Sequence, residues 1–176
     1  GGGKLLHPLA DGTPLGAAAA RNLCAALDNV VAVVRPGDEA LTKVLAAAGC
    51  EVSVCATAVN GMGASLAHGV GLRRNADGWV VALADMPFIR PSTLQAVHDA
   101  MAGGAALAAP YFRARRGHPV GLSARFREDL ERLSGDEGAR QVLGRHAKDL
   151  VKIPVGDPGV VRDIDRPTDL APPLVV

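Results

Sequence analysis

The stretch Trp79-Val80-Val81-Ala82-Leu83-Ala84-Asp85-Met86-Pro87 decides the reading of the fold. An apolar run ends abruptly in an acid, and a proline follows two residues later. Val80 to Ala84 shows no apolar/polar alternation, so it reads as a strand buried on both faces. Asp85 then falls at the carboxyl end of that strand, the edge at which open α/β sheets bind ligands. A carboxylate there can hold a hard cation such as Mg2+, which in turn holds phosphates. It can equally shape a turn or cap the next helix. Position alone does not separate the two roles.

On either side, short apolar runs alternate with Ala-rich helical segments. Helices are expected from Thr13-Pro14 to about Leu27, from Asp38 to near Gly49, over Ala64–Leu72 and from Pro91 to Met101. Strands are expected over Val30–Val34, Glu51–Cys55 and Ala105–Ala109. That alternation means βαβ units, right-handed crossovers and a mostly parallel sheet with helices on both faces. Further on, His118–Leu122 reads as an edge strand, Ser123–Leu133 and Ala139–His146 as helices, and Lys152–Val155 and Val160–Ile164 as late extended segments. No linker is rich enough to split domains, so residues 1–176 are expected to form one domain.

Composition narrows the function classes. Aromatics at 3% leave little for a base-stacking platform, and a net charge of +1 gives no field to recruit nucleic acid or an anionic membrane. No apolar run approaches the length of a membrane span. Cys24, Cys50 and Cys55 form no C-x-x-C pair, and their apolar neighbours suggest buried thiols in a reducing cytoplasm. The start, Gly1-Gly2-Gly3-Lys4, reads as the middle of a longer segment rather than a leader peptide.

Several groups can carry chemistry. Lys4 after three glycines suits a polyphosphate, although the P-loop pattern is not met. Asp163 and Asp165, two apart on an expected strand, would share a face and could share a cation, or mark a solvated edge. Asn60, Gly61, Met62, Gly63 and Ser65 offer backbone N–H groups and a hydroxyl at a helix start, or form an ordinary glycine loop. His118 stands between Gly117 and Pro119, and an isolated histidine is more often structural than catalytic. Arg113, Arg115 and Arg116 form a basic turn, either solvated or able to grip a phosphate.

Six segments, taken in order, resemble the MobA-like nucleotidyltransferases, and within them the molybdenum cofactor cytidylyltransferases. Gly1 to Leu6 is similar to the tail of that family's opening L-A-A-G-x-x-x-R-M-G-x-x-K loop. Asp85-Met86-Pro87 is similar to its D-M-P, Gly61 to Leu66 to its G-M-x-x-S-L, and Gly117 to Val120 to its G-H-P-V. Gly135 to Arg140 and Asp163 to Leu170 are similar to its G-D-x-G-A-R and D-I-D-x-P-x-D-L.

The resemblance implies a Rossmann-like three-layer α/β/α sandwich of the nucleotide-diphospho-sugar transferase type. The family's first strand and most of its phosphate loop are absent from these residues, and the expectation is a gap in the sequence rather than an evolved loss. It implies transfer of CMP from CTP to the phosphate of a molybdopterin-type acceptor, with release of pyrophosphate. Asp85 would hold Mg2+, completed by Asp163 or Asp165. Gly2, Gly3 and Lys4 would cradle the triphosphate, with Lys4 stabilising its charge. Asn60, Gly61, Met62, Gly63 and Ser65 would contact base or ribose, and His118 and Arg140 would face the acceptor. Other readings keep the fold and change the acceptor to a sugar phosphate or the nucleotide to GTP. Another makes the chain a non-catalytic nucleotide or cofactor carrier serving a molybdoenzyme or chaperone partner.

Overall fold

The computed structural model describes residues 2–136, 138–165 and 169. A 3₁₀ turn over Gly2–Leu6 leads to α1 (Leu15–Cys24), β1 (Val31–Val34), α2 (Glu39–Ala47), β2 (Glu51–Val54) and α3 (Met62–Leu72). Then come β3 (Gly78–Val81), α4 (Pro91–Ala102), β4 (Leu107–Phe112), the two-residue β5 (Arg115–Arg116) and β6 (Val120–Ser123). The short α5 (Arg127–Glu131) and α6 (Arg140–Arg145) precede β7 (Leu150–Pro154). Local chemistry sets the bounds. Pro91 opens α4 where its missing N–H costs nothing, and Gly104, at φ +94°, turns the chain out of it.

β1 and β2 pair in parallel, Val31 opposite Glu51. β3, β6, β4 and β5 form a second sheet, joined by β7 running parallel to β4. β3, β4 and β7 point the same way, and β6 runs antiparallel between β3 and β4. α3 and α5 cover one face with Leu66, Val70 and Leu130 against Trp79, Leu107 and Leu122. α4 lies on the other face, where the close approach of Met101 and Val97 requires Gly121. α1 and α2 pack on β1 through Ala17, Ala20, Leu41 and Leu45. The result is a three-layer α/β/α arrangement.

β1 and β3 do not pair with each other. Between their facing edges lies a cavity of about 2220 Å³, lined by Val31, Ala32 and Val33 on one side and Val80, Val81 and Leu83 on the other. Two unpaired strand edges with apolar walls above and below have the shape of a slot for one more strand. The apolar run at Val80 is half-buried rather than covered on both faces.

Three local readings change. β3 ends at Val81, so residues 82–84 have already left the sheet. The segment at His118–Leu122 is an interior strand, because β6 has partners on both sides. The Val160–Ile164 segment is not a strand. Pro158–Val161 forms a 3₁₀ turn, with Asp157 accepting from the Gly159 N–H at its start. Among the described residues no helix is long and apolar enough to cross a membrane.

Candidate active site

Lys4, Asp85 and Asp165, far apart in the chain, meet in one ion cluster. Lys4 Nζ donates to Asp85 Oδ2 and to Asp165 Oδ1, each at 2.9 Å. The backbone joins the same segments, since the Ile164 N–H donates to the Asp85 carbonyl at 2.9 Å. Ile164 is buried in the protein, and the two aspartates flanking it stay exposed. Asp165 reaches the site as the neighbour of a buried anchor and not, as the spacing suggests, as one of two alternate residues of a strand; Asp163, on the other side of Ile164, has no contact with Lys4.

The electrostatics are those of a cation site. Burial works to lower the Lys4 pKa, but the hydrogen bonds it donates to Asp165 and Asp85 and the charges of both outweigh it, so the ammonium is held above its ordinary range. Asp85 Oδ1 is buried and has no partner among the described residues. That orphaned oxygen is a donor available to a further cation. Among the described residues no group of three His, Cys, Asp or Glu side chains gathers as a ready-made metal cage. One or two carboxylates with water and phosphate oxygens are, however, the donor set Mg2+ takes in phosphate chemistry. Asp85 with Asp165 fits that set, and Lys4 now bridges the two.

The loop after Asp85 is built to hold it still. Met86 and Ile89 pack with Leu94 and Val160, and Asn22 of α1 donates to the Pro87 carbonyl at 2.9 Å. Gly159 lies flat on Phe88 and Ile89, where an added Cβ would come within 2.8 Å of the Ile89 nitrogen. The Arg162 guanidinium stacks 4.4 Å from the Phe88 ring centroid. Asp157, 3% exposed, ties both segments together. Its Oδ2 accepts from the Arg90 N–H at 2.9 Å and from Thr93 Oγ1 at 2.8 Å, and its Oδ1 accepts from the Gly159 N–H at 3.0 Å. Sequence reading passed over Asp157. Its signal was the turn-forming Asp157-Pro158-Gly159.

The other expected residues divide. Met62, Ser65, His118 and Arg140 line one wall of the large cavity. The His118 ring lies near the Val81 backbone, and its Nδ1 is buried without a partner among the described residues. Burial first, and the charge of Arg116 second, depress its pKa, against smaller opposite effects from Val81, Asp85 and Asp163, so the imidazole is neutral at pH 7. Gly61 and Gly63 have protein partners. Gly61, at φ +111°, abuts Gly135 and Asp136, and the Gly63 N–H donates to the Gly135 carbonyl at 2.7 Å. The Gly63 N–H is therefore committed within the protein. Asn60 is exposed and does not line the cavity. Nothing crowds Gly3, which leaves its backbone open to a ligand. Of the motif residues, Gly1, Glu137, Arg166, Pro167, Thr168 and Leu170 lie outside the described residues.

The profile of the MobA-like NTP transferase domain matches residues 1–150. Rv0371c of Mycobacterium tuberculosis H37Rv, solved in complex with manganese, superposes with a TM-score of 0.76 at 26% identity, over 94% of this chain and 88% of that one. A nucleotidyl transferase from Methanothermobacter thermautotroptrophicus superposes at 0.76 and 22% identity, covering 94% and 81%. Molybdopterin-guanine dinucleotide biosynthesis protein A from Archaeoglobus fulgidus does so at 0.62 and 19%, covering 95% and 86%. At those identities the last two speak for the fold alone. No curated protein sequence matches the chain. With the profile covering residues 1–150, most of its length, the chain belongs to the MobA-like NTP transferase family.

Proposed function

We propose that the protein is a Mg2+-dependent cytidylyltransferase of the cytoplasm, which transfers CMP from CTP to the phosphate of a molybdopterin-type cofactor. An oxygen of the acceptor phosphate attacks the α-phosphorus of CTP and forms a new P–O–P linkage. The bond from the α-phosphorus to its bridging oxygen breaks, and pyrophosphate leaves with the electron pair. The acceptor phosphate is already an anionic nucleophile, so no strong general base is required, and a neutral His118 agrees with that.

The obstacle is the approach of two polyanions. Two unit charges about 4 Å apart repel by ~4 kcal/mol at an effective dielectric near 20. Lys4 offsets that charge from the triphosphate side, and the fixed backbone around Asp85 supplies positioning. Asp85 with Asp165 would hold Mg2+, which supplies charge neutralisation on the phosphates when bound. The observation that carries this reading is the Lys4 ammonium bridging Asp85 and Asp165 beside the orphaned Asp85 Oδ1. Support for the acceptor and for cytidine comes from the ordered run of motifs from Gly61 to Asp165.

The test is pyrophosphate release with Mg2+, molybdopterin and each NTP in turn. Release with CTP well above GTP is expected. Equal release with every nucleotide, or none, sinks the cytidylyl assignment. Asp85→Asn should remove activity while the protein stays folded, and an unfolded variant would return Asp85 to the turn-forming role.

A further inference from the structure

The three cysteines take no part in the chemistry above, yet two of them meet. Cys24 Sγ and Cys50 Sγ lie 3.8 Å apart, from positions 26 apart in the sequence. Cys24 is the last residue of α1, and Cys50 stands between the end of α2 and the start of β2. Gly49, at φ +105°, makes the turn out of α2 that sets Cys50 beside Cys24. The sulfurs are in contact, so reaching a covalent bond of about 2.0 Å asks for side-chain rotation and not for unfolding. Cys55, the third thiol, is buried elsewhere, with Thr57 Oγ1 at 3.3 Å and the Ala64 carbonyl at 3.9 Å for neighbours.

The two sulfurs differ in access. Cys24 is half-buried, whereas Cys50 is buried in the cluster that holds Ala20, Val30 and Leu45. The end of α1 that carries Cys24 also supports the candidate active site. Two residues earlier, Asn22 donates to the Pro87 carbonyl, and Leu23 packs both on the α1–α2 core and on the cluster of Met86 and Ile89. We propose that Cys24 and Cys50 form a reversible redox staple: an intramolecular disulfide, made by reaction with a small-molecule disulfide, fastens the end of α1, and with it the support of the Asp85 loop, to the start of β2.

Cys24, the more accessible sulfur, reacts first. Its thiolate attacks one sulfur of the oxidant, forms a mixed disulfide and releases one thiolate. The Cys50 thiol then gives its proton to solvent, and its sulfur attacks Cys24 Sγ and displaces the second thiolate. Both protein sulfurs are oxidised, the small disulfide is reduced to two thiols, and the two cysteine protons end on them. Burial first, and the charge of Cys24 second, hold the proton on Cys50. The second cause vanishes once Cys24 is in the mixed disulfide. In a reducing medium the pair stays open, and the bond closes as the surroundings become oxidising.

The test is to incubate the reduced, folded chain with glutathione disulfide and follow it by intact mass, peptide mapping and thermal unfolding. The monomer should lose the mass of two hydrogens, the map should show Cys24 linked to Cys50, and dithiothreitol should restore both thiols. Closing a loop of this length should raise the melting midpoint of the oxidised form by about 5–10 °C over the reduced form. Cys55→Ala should behave as the wild type does, whereas Cys24→Ala should form no intramolecular disulfide and show no rise. The peptide map identifies the linked pair in the wild type, so the result does not depend on any variant folding. Three outcomes overturn the proposal: no intramolecular disulfide or only a stable glutathione adduct, a bond that involves Cys55, or an oxidised form that melts no higher than the reduced one.

Discussion

Replacing Asp157 with alanine should destabilise the protein more than any single change at the acidic cluster itself. The carboxylate is 3% exposed and satisfies three donors: the N–H groups of Arg90 and Gly159 and the hydroxyl of Thr93. Each buried donor left without a partner costs ~1–3 kcal/mol. The three losses are not additive, because Arg90 lies at the surface and its N–H can recruit water. A total of ~3–5 kcal/mol follows, a large share of the ~5–15 kcal/mol that holds a domain folded. For a chain of this size that lowers the melting midpoint by about 6–20 °C. Asp157→Asn keeps one acceptor oxygen and turns a donor toward another donor, so about half that loss is expected. Thermal and urea unfolding followed by circular dichroism measure both variants, with an unchanged urea slope expected. An alanine variant melting within about 3 °C of wild type would refute the claim that this carboxylate clamps the Asp85 loop to the Pro158–Val161 turn.

Lys4→Met should cut pyrophosphate release by roughly two to three orders of magnitude, the cost of losing one preorganised charge at a reacting phosphate, and shift stability by less than about 1 kcal/mol, because the ion pairs are part-exposed. A variant with near-normal turnover would remove Lys4 from the chemistry. Gly159→Ala should cost ~2–3 kcal/mol, because its Cβ meets the Phe88–Ile89 backbone, whereas Gly156→Ala, with open space around it, should be neutral. Equal melting midpoints for the two would contradict the packing described. Burial, with Cys24 second, pushes the Cys50 thiol up to about 12, so at pH 8 iodoacetamide should label Cys24 well before Cys50. Because the folded value lies above the unfolded one, the native state keeps a proton that the unfolded chain loses, and this contribution to stability fades as pH rises above about 9. Equal labelling rates at pH 8 would show that Cys50 is not held as a buried thiol.

Local grammar carried most of the element order. The helix opening at Pro91 and closing at Gly103-Gly104 was legible because fixed φ, a missing N–H and left-handed glycine are properties of single residues. That a strand leads to Asp85 was legible from the apolar run, but the strand ends at Val81, and nothing in Ala82-Leu83-Ala84 marks the departure from the sheet. The Val160–Ile164 segment misled for a matching reason. Two valines raise strand propensity, but Pro158 and the Asp157 cap act earlier in the chain and wind it into a turn. β6 misled differently. Whether a short apolar segment is interior or at an edge depends on partners far away in sequence, and nothing within His118–Leu122 records that β3 and β4 lie on either side of it.

The glycines of the motifs do less for a ligand, and more for the packing of the chain, than their sequence suggests. A glycine-rich motif invites the reading that backbone is cleared for a ligand, yet three of these glycines clear it for other backbone. Gly61 meets Gly135, Gly63 meets Ser134 and Gly135, and Gly117 meets Val160; Gly159, outside the motifs, likewise meets Phe88 and Ile89. The Gly61 loop is thus locked to the Gly135 loop, and the Asp85 loop to the Pro158–Val161 turn, which is locked in turn to the His118 segment. The motif segments pack on one another. The side chains standing out from these segments include Lys4 and Asp85, which meet Asp165 beside the buried Ile164. Under the proposed function the barrier is the meeting of two anions, and an ammonium held by two carboxylates on such a rigid base places fixed positive charge where it would be needed.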